Sequence, residues 1–215
     1  MEEDYYAIHR KKAADEVANL EVSHPARKSN KIDTETVELI DPATGETVFK
    51  TEFDKKSLTA TVTGRYGHAE FGGNLDYGAI SLHFFGRLFG GDGNLHYLFQ
   101  KLEHPDKDSL QTIDDASLET EFREMFDDDL NGDDEERKEL AKECLKALLN
   151  TDRNEDGTPD LDYYDQERME KLDRDYWEWI GDIGVVPVYN VFVWKAAWRK
   201  VFKYVYPDEK INGEK

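Results

Sequence analysis

Cysteine is almost missing from this sequence, and long apolar runs are missing altogether. One cysteine in 215 residues cannot close an internal disulfide. The fold must therefore be held by its core, which a chain of this length can bury as one domain or two small ones. Cys144 lies between Glu143 and Leu145 in a helical run and reads as a half-buried packing thiol. No histidine stands near it in sequence, and the surrounding acids raise its pKa, so it is not read as a nucleophile. The best candidate for a membrane span, Ile183 to Val193, is too short and runs into Lys195, Arg199, Lys200 and Lys203. Met1 to Tyr6 is charged and lacks the apolar centre of a signal peptide. The expectation is a soluble cytoplasmic or otherwise intracellular protein with no membrane partner.

Basic residues are also short, and unevenly so. The formal net charge is -20, and between Lys101 and Asp182 there are 29 Asp and Glu against 11 Lys and Arg. The remainder of the chain is nearly balanced, with 19 acids and 17 bases. A regional field of this size repels phosphate backbones and anionic lipid, and attracts cations or basic protein surfaces. Direct nucleic-acid binding by that segment is therefore disfavoured.

The patterning changes along the chain. Tyr6, Ala13, Val17 and Leu20 fall at helical spacings, which predicts an amphipathic helix over 3–20 followed by a linker around Pro25. Val37 and Leu39 alternate with polar residues, Asp41 to Gly45 supplies turn chemistry, and Val48 to Phe53 returns as a hairpin partner. Leu58, Ala60 and Val62 extend this to about three strands. Glycines and aromatics crowd 64–93, and helices are expected at 95–102, 117–126, 134–149, 162–180 and 188–205, with Ser117 as an N-cap. The fold class is α+β, a small antiparallel sheet near the N-terminus packed on a mainly helical C-terminal half. The segments are a helix and linker over 1–30, a β-rich part over 31–93 and an acidic helical part over 94–215, the last two expected to form one compact unit.

Asp152-Arg153-Asn154-Glu155-Asp156-Gly157-Thr158-Pro159-Asp160 is the sharpest local pattern. Alternate positions of a tight loop converge their side-chain oxygens, and Gly at the sixth place allows the turn, which suits a hard divalent cation. Asp152, Asn154, Asp156 and Asp160 hold the first, third, fifth and ninth places, and the stretch resembles the Ca²⁺ loops of EF-hands, dockerins and thrombospondin type 3 repeats. The resemblance implies Ca²⁺ on those four residues. The twelfth place is Tyr163 instead of a bidentate Glu, so Asp162 or Asp165 would have to substitute. A polar interhelical loop is the alternative. Asp127-Asp128-Asp129-Leu130-Asn131-Gly132-Asp133 looks like a second such loop, with Lys138 at its twelfth place.

Upstream, Gly64 to Phe71, Asn74 to Ser81 and Gly90 to Leu95 combine glycines, acids and small residues. This stretch resembles the active-site region of lysozyme-like and chitosanase-like hydrolases, which implies Glu70 and Asp76 as the two carboxylates of glycan cleavage. The Glu expected at the end of a preceding helix is absent, because Leu58 to Val62 reads as strand. The six histidines show no helical-pair metal spacing, and Gly90-Gly91-Asp92-Gly93 lacks the Lys of a phosphate loop. In the last helix Val191, Trp194, Trp198, Val201, Phe202 and Val205 form an apolar stripe, while Lys195, Arg199 and Lys203 recur at four-residue steps. Those bases either dock against internal carboxylates or form a partner-binding edge.

The leading reading is a non-enzymatic acidic binding or regulatory protein that presents an anionic helical surface to a basic protein partner, with Ca²⁺ as a stabiliser. If its carboxylates repeat at duplex phosphate spacing, it acts as a nucleic-acid mimic against a nucleic-acid-binding protein, as phage-encoded inhibitors do. The alternatives are a glycan hydrolase using Glu70 and Asp76, and an EF-hand-like calcium-binding protein.

Overall fold

A computed structural model describes residues 5–23, 34–72, 75, 78, 80–91, 95–104, 110–154 and 158–212. The chain divides into two compact units, one comprising Tyr6–Leu110 with Pro187–Lys215, the other built on Gln111–Val186. These cuts differ from the sequence boundaries at 30/31 and 93/94. The reason is the last helix, whose apolar side chains belong to the sheet's core.

The first unit opens with α1 (Tyr5–Ala18) and then forms a six-stranded antiparallel sheet in sequential order: β1 (Glu21–Ser23), β2 (Thr34–Ile40), β3 (Thr47–Asp54), β4 (Thr59–Gly64), β5 (Ala69–Phe71) and β6 (Leu102–His104). Only the three longest strands, β2, β3 and β4, were expected. Strands of three residues such as β1, β5 and β6 are too short to show a period; β1 and β5 are laid on the longer β2 and β4, and β6 adds to β5. The turn after β2 uses the side chain of Asp41, which accepts from Ala43 N at 2.9 Å. Gly64 closes β4 at φ 134°, where a Cβ would collide with the carbonyl of Val48.

Period-two alternation sorts the sheet into two faces. Val37, Leu39, Phe49, Thr51, Phe53, Ala60, Val62, Ala69 and Phe71 are all buried on one. That face is closed by α2 (Leu82–Leu88) and α8 (Tyr189–Val205); α3 (Leu95–Gln100) precedes β6. Phe85 lies 5.2 Å from Phe53 and 5.3 Å from Trp198 between ring centroids, and Phe71 lies 5.8 Å from Trp198. Edge-to-face pairs of this kind add about 0.5–1.5 kcal/mol each beyond the area they bury. The apolar stripe expected on the last helix is this core: Val191, Trp194, Trp198, Val201 and Phe202 are buried, and Val205 is half-buried.

The second unit is helical: α4 (Asp115–Met125), α5 (Asp127–Asn131), α6 (Glu135–Asn150), α7 (Tyr163–Leu172) and a 3-10 turn at Tyr176–Glu178. Its ends pair, β7 (Gln111–Ile113) with β8 (Val185–Pro187). It has its own core of Leu118, Phe122, Ala141, Cys144, Leu148 and Met169 with their neighbours. α4 starts earlier than expected, because Asp114, not Ser117, is the N-cap and accepts from Ser117 N at 2.8 Å. The helix expected over 162–180 stops at Leu172. Asp173 ends it: its carboxylate accepts from Asp175 N at 3.0 Å and from the Trp179 indole at 2.8 Å, offering the backbone a turn in place of another helical residue. No helix among the described residues is long and apolar enough to cross a membrane.

Candidate functional site

The Asp152–Asp160 loop is a hairpin closed by its own hydrogen bonds. Asp160 N donates to Asp152 O and Asn154 N to Thr158 O, both at 2.8 Å, with Arg153 and Pro159 paired between them. Asn154 Nδ2 donates to Thr158 Oγ1 at 3.2 Å, and Thr151 Oγ1 to Asp160 O at 2.9 Å. Asp152, Asn154 and Asp160 are exposed, and Asp156, the fourth expected ligand, lies outside the described residues. Both substitutes for the missing twelfth ligand are engaged elsewhere. Asp162 caps α7 through Asp165 N at 2.9 Å, and Asp165 holds Arg168 at 2.6 Å. No cluster of three or more His, Cys, Asp or Glu with metal-holding geometry occurs among the described residues.

The second expected loop is not a loop. Asp127 to Asn131 is α5, with three acids in its first turn where the helix dipole favours them. At about 100° per residue, a helix puts positions 127 and 131 on one face and 129 on nearly the opposite one, so the oxygens of all three cannot converge. Asn131 Nδ2 instead donates to Asp127 Oδ1 at 2.8 Å, and Asp129 accepts the guanidinium of Arg137 at 2.8 and 3.2 Å.

Glu70 is central in β5, opposite Thr61 of β4 and His104 of β6. Strand alternation directs its half-buried side chain to the face opposite the aromatic core, in a cross-strand row with Thr36, Glu52, Thr61 and His104. Asp76, the other carboxylate of the expected pair, lies outside the described residues.

The acidic helices present the densest chemistry. Gln111–Val186 carries 26 Asp and Glu against nine Lys and Arg. In α6 the apolar stripe Ala141, Cys144, Leu145 and Leu148 is buried, which leaves Glu135, Glu136, Glu139 and Glu143 on the exposed side. Among the described residues, the ion pairs of these helices are chiefly one turn apart: Lys138 with Glu135, Lys142 with Glu139, Lys171 with Glu167 and Arg123 with Glu119. Such exposed pairs contribute about 0.3–0.5 kcal/mol each. Glu124, Asp128, Glu136, Glu170, Glu178 and Asp182 are exposed and outside any ion pair among the described residues. Aromatic side chains stand among these charges: Tyr163 is 73%, Tyr164 68% and Trp177 64% exposed. No family model, curated protein or solved structure matches the chain. The site therefore has to be read from its own chemistry.

Sequence reasoning missed a second constellation, in the first unit. Glu16 of α1 accepts hydrogen bonds from the phenols of Tyr66 and Tyr189, one on each carboxylate oxygen. These bonds, Tyr189's first, hold Glu16 below the ordinary carboxylate value, while burial and the same carboxylate push Tyr66 up to about 12 and Tyr189 higher still. Lys12 stacks on the Tyr189 ring at 4.5 Å. Two tyrosines 123 positions apart leave no spacing signal, so nothing in the sequence joins them.

Lys200 donates to Val17 O at 2.7 Å and Ala18 O at 2.6 Å, capping the C-terminus of α1, and Lys203 donates to Glu209 O at 2.9 Å. Cys144 is fully buried in the second unit's core, deeper than expected, and burial pushes its thiol up to about 12.

Proposed function

We propose that this chain is a non-enzymatic binding protein whose acidic helical unit engages a basic protein. The observation that carries the reading is the pairing of unneutralised surface carboxylates with exposed Tyr163, Tyr164 and Trp177 in one unit. Rigid aromatics supply contact area at low conformational cost and recur as binding hot spots, while surrounding charge steers the encounter and selects the partner's sign. A purely solvating acidic surface has no use for tyrosines and a tryptophan left more than half exposed.

The test is capture on the immobilised full-length protein, with elution by salt. The reading expects retained proteins to be basic, to elute as ionic strength rises, and to be lost from the Tyr163→Ala, Tyr164→Ala double variant. Retention of acidic proteins, or equal retention by the variant, contradicts it. Duplex DNA added as competitor decides the finer reading: displacement of the partner supports nucleic-acid mimicry, and undisturbed binding removes it.

Ca²⁺ enters this reading as a stabiliser of the Asp152–Asp160 hairpin, where the 2.8 Å backbone bond brings two acidic residues side by side. Calorimetric titration should give a heat that Asp152→Ala abolishes. An unchanged or absent heat removes the ion from the account.

A further inference from the structure

Tyr163 and Tyr164 are the first two residues of α7, directly after its N-cap Asp162, and each is more than two-thirds exposed. The core does not require them, because α7 packs through Met169 and Leu172 on a different side of the helix. Helix formation does not require them either, since aromatics are poorer helix formers than the Glu, Lys or Ala that an exposed first turn can hold. The two rings nevertheless meet edge to face, with centroids 5.7 Å apart and planes at 79°. Two nearly perpendicular aromatic surfaces on one exposed turn form an open corner. The exposed side of α7 continues it: Glu167 lies one turn beyond both tyrosines and Glu170 two turns beyond Tyr163, on the same stripe. Glu167 pairs with Lys171 at 2.9 Å, an exposed contact that an incoming cation displaces at little cost. Glu170 is exposed and outside any ion pair among the described residues.

Aromatic faces carry negative potential and attract cations, arginine most often. The first unit already uses the contact within itself, with Arg10 over the Tyr6 ring at 5.8 Å and Lys12 over the Tyr189 ring at 4.5 Å. Tyr163 and Tyr164 offer the same kind of surface to solvent, in a unit, Gln111–Val186, with 26 Asp and Glu against nine Lys and Arg. A guanidinium suits the corner better than an ammonium. It is planar, so it stacks on a ring while its N–H donors, directed outward in its plane, reach a carboxylate alongside, and it sheds its water more readily. Building on the basic-partner reading above, we propose that this stripe of α7 receives an arginine-bearing segment of the partner, with one guanidinium on the Tyr163–Tyr164 corner and its donors turned to Glu167. Tyr163 and Glu170 are about 10 Å apart along the helix axis. About three residues of extended chain cover that distance, so a second basic residue of the same segment meets Glu170.

The test is calorimetry on the full chain at low salt with two peptides of equal length and charge, one alternating arginine with glycine, the other lysine with glycine. The arginine peptide should bind about three- to tenfold more tightly. A Tyr163→Leu, Tyr164→Leu protein should lose that preference and keep a weaker, salt-sensitive affinity common to both peptides. The Tyr163→Phe, Tyr164→Phe protein, which retains the ring faces, should retain the preference. Both positions are exposed, so the melting temperatures of the unliganded variants should match the parent's. Equal affinity of the parent for the two peptides, or an arginine preference that survives in the Leu variant, overturns the arginine seat and leaves the basic-partner reading standing. Binding of neither peptide contradicts that reading as well.

Discussion

Trp198 is fully buried beneath the sheet, and its indole N–H donates to Thr51 Oγ1 at 2.9 Å. Thr51 is fully buried as well, so a Thr51→Val protein keeps the shape and strands the donor. The expected cost is about 1–3 kcal/mol in denaturant unfolding, largely recovered by Thr51→Ser. A Val variant as stable as the parent would show that the bond contributes nothing. Position 51 shares the inward face of β3 with Phe49 and Phe53, but the sequence holds no sign that its partner is a tryptophan 147 residues away. Glu16 is a second residue-scale case. Its folded pKa lies below the ordinary 4.5, so its stabilising share is present above that value and lost as pH falls through the depressed one. Glu16→Gln should therefore lower the melting temperature at neutral pH, and the difference from the parent should shrink on acidification. A difference independent of pH would separate α1's anchoring from the charge of Glu16.

Among the elements, the helices with long apolar stripes were the most legible. The expected 134–149 and 188–205 correspond to Glu135–Asn150 and Tyr189–Val205, because a dozen residues of helical period leave little room for another reading. Where single side chains decide, the pattern misled: Asp173 stops α7, Asp114 starts α4, and the run of Asp127 to Asp129 opens a short helix instead of wrapping a cation. Each is a polar side chain choosing between solvent, metal and backbone, and composition alone does not rank those choices. Arg137 shows what such a choice does for packing. It donates to Asp129 of α5 and, at 3.0 Å each, to the carbonyls of Lys171 and Leu172 at the end of α7, so one guanidinium joins three helices. The carboxylate of Asp129 raises its pKa further. Arg137→Met should cost about 2 kcal/mol, and Arg137→Lys should recover little, because an ammonium cannot span the same acceptors. Full recovery by Lys in thermal unfolding would mean that charge, not the fork, matters.

At the scale of the molecule, charge and architecture coincide. The acid-rich stretch found by counting, 101–182, falls within about ten residues of the compact unit Gln111–Val186. What counting could not show is that the basic-edged last helix belongs with the sheet, since its stripe fits any apolar face and only the assembled aromatic core selects one. The α+β class was legible for the same reason that the topology was not: periods identify element types, whereas three-residue strands and chain-distant pairings are fixed by tertiary context. The candidate site divides similarly, with its carboxylates visible as composition and its exposed aromatics visible only once the helices have chosen their buried sides. The account's central claim is that surplus surface charge in this unit binds a basic protein. Replacing Glu124, Glu136, Glu170 and Glu178 by Gln neutralises four exposed acids without breaking an internal ion pair. Calorimetric affinity for a captured partner should fall at least tenfold in this variant and fall with rising salt in the parent. Equal affinity for the two proteins, unaffected by salt, would contradict the account.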